Sequence, residues 1–193
     1  IAEALGNALC APIVKFVPEG NIDPPSGAMK YPGSISLSAG TYEALLTDIA
    51  SSLRQAGFSD IVMIGDSGGN QRGMANVANK LGLSWQGEAT RIHFIREFYD
   101  PGWVETEQYT ERELGVAQSA DDGYHDDIWV TAMMMVTDPE QVRYQQRVEA
   151  GLATINGVAI TPLADTIQLG QEMIQFRARY TAEAIRRALS TAN

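Results

Sequence analysis

Between residues 42 and 56, the apolar positions Tyr42, Leu45, Leu46, Ile49, Leu53 and Ala56 recur every three or four residues, while Asp48 and Arg54 fall outside that stripe. This is the period of an amphipathic α-helix, and Gly57 stops it. The run "DIVMIG" (60–65) is instead continuously apolar. A strand covered on both faces reads this way, so 60–65 predicts a central parallel strand. Helical spacing resumes through Met74, Val77, Ala78 and Leu81, which predicts a helix over 70–81. "RIHFIREFY" (91–99) reads as a further strand. A long C-terminal helix over 163–189 carries Leu163, Ile167, Ile174, Ala178, Ile185 and Leu189 on one side.

The remaining stretches have weaker patterns. Residues 2–9 read as helical, against Gly6 and Asn7. "APIVKFVP" (11–18) predicts a buried strand ended by Pro18, with Cys10 a small buried residue before it. Residues 18–33 are rich in proline and glycine and predict a loop with a defined path. The acidic stretch 100–123 gives no clear element, and "DIWVTAMMMV" (127–136) fits a strand or a buried helix. Asp138-Pro139 reads as a helix start, and Asn156-Gly157 as the turn of a short hairpin. Strands alternating with helices predict an α/β fold with a mainly parallel sheet. In such sheets ligands bind at the carboxyl ends of the strands.

The chain has 193 residues, which fits a single domain over 1–193. Its net charge of −10 repels phosphate backbones, so no nucleic-acid partner is expected. Cys10 is the only cysteine, so no intrachain disulfide forms. No apolar run approaches membrane-spanning length, and a cytoplasmic location without membrane contact is expected. The opening "IAEALGNAL" reads as the tail of a helix, so a further N-terminal segment is expected before Ile1.

The most chemically suggestive stretch is "IGDSGGNQRG" (64–73), at the carboxyl end of the predicted central strand. A chymotrypsin-like protease is excluded, because no histidine precedes Ser67 and the fold is not all-β. The pattern Gly65-Asp66-Ser67-Gly68-Gly69 also satisfies the G-x-S-x-G nucleophile elbow. On that reading His125 is the base and Asp100 or Asp122 orients it.

A third reading explains the order of five segments. "MKYPGSISL" (29–37), "LLTDIASSLRQAGF" (45–58), "DIVMIGDSGGNQ" (60–71), "YHDDIWVTAMMM" (124–135) and the helix over 163–189 follow one another as in the creatininase (creatinine amidohydrolase) family, which the chain resembles. The resemblance implies a three-layer α/β/α sandwich with a mainly parallel central sheet. It also implies a homo-oligomer, often a hexamer, and divalent metal, zinc or manganese, used to hydrolyse amide or cyclic amide C–N bonds of a small molecule. The chain departs from the pattern at the chemistry itself. The family's E-x-H-G…D run is absent, Ser67 stands where the GHGG-type turn carries histidine, Ala28 stands at another usual histidine, and Val130 replaces a carboxylate. His125 matches the family's catalytic histidine and Thr131 is kept.

From these residues a rearranged site is expected. Asp66, His125 and Asp126 are its metal ligands, and His125, Ser67 and Asp127 its catalytic groups, with Asp126 and Asp127 interchangeable as the third ligand. Ser67 and the backbone of Gly68 and Gly69, with Asn70, Glu19 and Trp129, are expected to receive the substrate and its oxyanion. Bland roles compete: Asp66 as a helix cap, His125 in a solvated acidic loop, His93 as a satisfied core or edge residue, and Met133 to Met135, Trp103 and Trp129 as packing. Two other functions stay open: a metal-free serine hydrolase using Ser67 and His125, and a non-catalytic binding or assembly subunit.

Overall fold

The computed structural model describes residues 1–119 and 127–191. They form two compact units, residues 1–100 with 181–191, and residues 101–119 with 127–180. The fold is α/β.

In the first unit, a short helix α1 (Ala2–Leu5) precedes a long irregular stretch. Helix α2 (Ala39–Gln55) starts at Ser38, whose hydroxyl accepts the Thr41 N–H. It leads into β1 (Asp60–Met63), helix α3 (Gly68–Ser84) and β2 (Arg91–Phe94). The strands pair in parallel, from Asp60 opposite Arg91 to Met63 opposite Phe94. This is one βαβ unit. Its core joins Tyr42, Leu46 and Ala50 of α2, Ile61 of β1, and Met74, Val77 and Leu81 of α3. Tyr42, Leu46, Met74, Val77 and Leu81 are positions that the sequence period marks; Ala50 is not, and marked Leu45 is exposed instead.

The predicted strand over 11–18 does not form. Its only backbone hydrogen bond among the described residues runs from Leu37 N–H to the Val17 carbonyl. A strand needs a neighbour along its whole length. Val14 and Val17 pack on the core, while Leu9, Ile13 and Phe16 stay exposed. Cys10 is correspondingly exposed rather than buried. The strand expected over 91–99 stops at Phe94, because its ladder ends with the Ile95 N–H on the Met63 carbonyl, where β1 also ends. Arg96–Phe98 then turn as a 3-10 helix.

In the second unit, α4 (Gly102–Arg112) occupies part of the stretch without a clear pattern. α5 (Ile128–Thr137) resolves the 127–136 alternative as helix, with Ile128, Ala132 and Met135 at most 1% exposed. Met133 is partly buried, whereas Met134 faces out. Asp138 caps a 3-10 turn rather than an α-helix, through Glu140 N–H at 3.0 Å. Helix α6 (Tyr144–Glu149) follows. Strands β3 (Thr154–Ile155) and β4 (Val158–Ala159) form the predicted hairpin. Asn156 and Gly157 both take positive φ, 46° and 85°, as a tight hairpin turn requires. Helix α7 (Leu163–Thr191) contributes its first part to this unit and its last turns to the first unit. No described helix is long and apolar enough to cross a membrane.

Candidate functional site

The turn 64–67 joins the carboxyl end of β1 to the start of α3. Ser67 is the N-cap, not Asp66, and its side chain makes no capping hydrogen bond. The turn is held from inside by Gln71, whose Nε2 donates to the carbonyls of Gly65 (3.0 Å) and Ser67 (2.8 Å). The Ser67 hydroxyl is therefore not used to close the helix end. The first N–H groups of α3, those of Gly68 and Gly69, have no intrahelical acceptor and carry the positive end of the helix dipole.

Gly69 is required by close approach, and Gly68 is closely approached by a side chain. A Cβ on Gly69 would run into the Pro18 carbonyl oxygen, and one on Gly68 would lie 3.1 Å from the Tyr99 hydroxyl. The proline-rich loop thus seats directly on the helix start, and Glu19 follows its contact residue. Ser36, 7% exposed, fastens this loop. Its Oγ accepts the Glu19 N–H at 2.9 Å and donates to the Gly20 carbonyl at 2.8 Å. The Ala28 N–H closes on the Glu19 carbonyl at 2.9 Å. In the first unit, then, Asp66, Ser67, Gly68, Gly69 and Asn70 lie in one turn and helix start, and the loop seats on it through Pro18, the residue before Glu19. Sequence reasoning missed Ser36, Gln71 and Tyr99. Tyr99 follows β2, so its place beyond a strand's carboxyl end was the available signal.

Asp127 and Trp129 belong to the second unit, and His125 and Asp126 lie outside the described residues. Asp127 is the N-cap of α5, again without a side-chain bond to its own helix. Its Oδ1 accepts from Gln118 Nε2 at 3.0 Å and Asn156 Nδ2 at 3.4 Å. Gln118 Oε1 in turn accepts the Ile128 N–H at 2.8 Å, so a glutamine ten residues away caps α5. The Asn156 carbonyl accepts both the Ser119 N–H and its hydroxyl, each at 2.9 Å. The hairpin turn thus fastens the chain on the N-terminal side of 120–126. Trp129, 5% exposed, meets Trp103 edge-on at 4.0 Å and packs with Ala132 and Met173.

At the amino end of the β1–β2 pair, Asp60 Oδ1 accepts from Arg91 Nε at 2.9 Å and lies 3.0 Å from His93 Nε2. Burial alone would raise the Asp60 carboxyl. The hydrogen bonds from His93 and Arg91, with the arginine charge, outweigh it and hold the group below the ordinary aspartate value. His93 is thus a satisfied residue, hydrogen-bonded to the Asp60 carboxyl.

A strand–glycine turn–helix carrying Asp66 to Gln71, preceded by the loop that seats on it, is the local geometry the sequence motifs require. The family model described as creatinine amidohydrolase matches residues 1–185. The chain belongs to the creatininase family. No curated protein and no solved structure matches it. The family match spans both units.

The family's divalent metals were tested against the residues present. Among the described residues, no three histidine, cysteine, aspartate or glutamate side chains are placed to hold one ion. The GHGG-type turn offers Ser67, whose neutral hydroxyl is a weak ligand for zinc or manganese. The described residues of this creatininase-family chain do not by themselves fit a metal centre.

Proposed function

We propose that the chain is a creatininase-like, metal-dependent hydrolase of amide or cyclic amide C–N bonds in a small molecule. The family match over residues 1–185 carries this reading. The α3 start supports it. The Gly68 and Gly69 N–H groups and the Ser67 hydroxyl, which does not cap α3, offer hydrogen-bond donors for the oxygen that becomes negative when an amide carbonyl is attacked. We assign Asp127 a catalytic role as well; two amide side chains, Gln118 and Asn156, fix the orientation of its carboxylate. A divalent metal, zinc or manganese, supplies an activated water in such chemistry. We assign Asp66, His125 and Asp126 as its ligands. Glu19, Asn70 and Trp129 are assigned to the substrate. The accompanying fold proposal is a three-layer α/β/α sandwich assembled as a homo-oligomer.

The test is elemental analysis of the purified chain, with hydrolysis of a panel of cyclic amides measured in manganese, in zinc and in chelator. Bound metal and chelator-sensitive ring opening support the reading. Full activity in chelator, with no metal present, removes it.

The absence of a three-ligand cluster among the described residues favours a second reading, a non-catalytic binding or assembly subunit. It predicts neither metal nor turnover, and a stable assembly in solution. Labelling of Ser67 by a fluorophosphonate would instead bring back the serine-hydrolase alternative.

A further inference from the structure

The second unit contains a cavity of about 180 Å³ bounded by α5, the 3-10 turn after it, α6 and β3. Its apolar lining includes Val130, Val142 and Ile155. Arg143 and Arg147 line it too, and among the described residues no carboxylate does. In a chain of net charge −10, two arginines at one cavity concentrate positive potential where the surroundings are negative. Neither arginine makes an ion pair with a described residue; the hydrogen bond recorded for their side chains runs from Arg147 Nε to the Val142 carbonyl at 3.0 Å. That bond orients the Arg147 guanidinium and leaves its terminal nitrogens as donors.

Arg143 has a second peculiarity. Its φ is 54° and its ψ 44°, the left-handed conformation that side-chain-bearing residues rarely adopt. Such conformations cluster at ligand clamps, where the surrounding fold maintains them. Here the conformation turns the chain between the 3-10 turn and α6 and brings Arg143 to the same cavity as Arg147. Val130, the position where the family pattern has a carboxylate, contributes apolar surface instead. Removing an acid from a cavity with two arginines changes the charge of the ligand it suits.

We propose that this cavity binds a small aliphatic carboxylate, its chain against Val130, Val142 and Ile155 and its carboxylate on Arg143 and Arg147. A guanidinium meets a carboxylate through parallel hydrogen bonds, which fixes orientation as well as charge. The size agrees, since an apolar cavity of roughly 150 Å³ accommodates benzene.

Titration of the full chain with hexanoate, followed by NMR of the valine and isoleucine methyl groups, tests this. Saturable shifts at Val130, Val142 and Ile155 are expected, with acetate weaker by about tenfold and hexylammonium inert. Arg143→Asn tolerates the left-handed backbone, and Arg147→Met keeps the aliphatic stem; each is expected to weaken hexanoate by about tenfold. Equal shifts with hexylammonium would overturn the charge assignment. Equal affinity for acetate would overturn the apolar one. Unchanged hexanoate binding in both variants would overturn the site. If a variant fails to fold, the comparison of the three ligands on the wild-type chain decides.

Discussion

The starts of α3 and α5 solve the same problem in opposite ways. Each has a candidate-site residue at its N-cap, Ser67 or Asp127, and neither side chain caps its own helix. In each case a glutamine takes over. Gln71 donates to two carbonyls of the turn before α3, which leaves the helix N–H groups open. Gln118 accepts the first N–H of α5 and donates to the Asp127 carboxylate. The first arrangement presents donors and suits a developing oxyanion. The second holds a carboxylate in one orientation. The same side-chain type, placed inside the turn or reaching in from another segment, decides which polarity a helix start offers.

The largest expected effect comes from the first helix start. Gly69→Ala forces the proline-rich loop off α3, and we expect about 2–3 kcal/mol of destabilisation by denaturant unfolding. A change below about 0.5 kcal/mol would mean that the loop does not press on this glycine. Next comes Gln118→Ala, which strips the Ile128 N–H of its acceptor and the Asp127 carboxylate of a donor. A loss of about 1–2 kcal/mol is expected, with faster hydrogen exchange at Ile128. Gln118→Glu sharpens the contrast, since it keeps the acceptor and removes the donor. Ile128 should then remain protected while the Asp127 carboxylate is disturbed.

Asp60 probes the opposite end of the strand that feeds the α3 turn. Its carboxyl is lowered on folding, so its contribution is present above the unfolded aspartate value and is lost as pH falls through the folded one. Asp60→Asn should cost roughly 1 kcal/mol near neutral pH, discounted for partial exposure, and the difference should shrink below about pH 4. A pH-independent difference would show that the ion pair does not fasten the strands. The smallest effect is expected from Ser67→Ala, within about 0.5 kcal/mol, because the hydroxyl does not cap α3. A loss near 1 kcal/mol, usual for a removed cap, would erase the distinction between Ser67 as cap and Ser67 as site residue.

The contrast also marks what could be read in the sequence. α2, β1, α3 and the Asn156-Gly157 hairpin follow from apolar pattern and turn chemistry, and α7 forms where its apolar spacing predicts a helix, although Ile174 on the marked side is exposed while Met173 and Thr181 are buried. α4 was invisible for a physical reason. Its buried positions are Gly102, Thr106 and Thr110, and the threonine hydroxyls bond back to the Gly102 and Thr106 carbonyls. A helix whose buried positions are glycine and threonine is not marked by its most apolar residues. The 11–18 run misled in the opposite direction, since apolar residues alone do not make a strand without a hydrogen-bonding neighbour. At the candidate site, the glycines, Ser67 and Asp127 were legible as motif residues. The glutamines that set their roles were not, because Gln118 and Asn156 meet Asp127 only through the tertiary fold.

The central claim is that a creatininase-family chain with Ser67 at its glycine turn still hydrolyses amide-type bonds with a divalent metal. The most direct measurement is ring opening of cyclic amides by the wild-type chain and by Ser67→Ala, each supplied with manganese and then with chelator. Manganese-dependent turnover in the wild type, reduced about a hundredfold or more in Ser67→Ala at unchanged stability, is the predicted result. Turnover that ignores both chelator and the substitution would contradict the account, as would the absence of turnover from a chain that binds no metal.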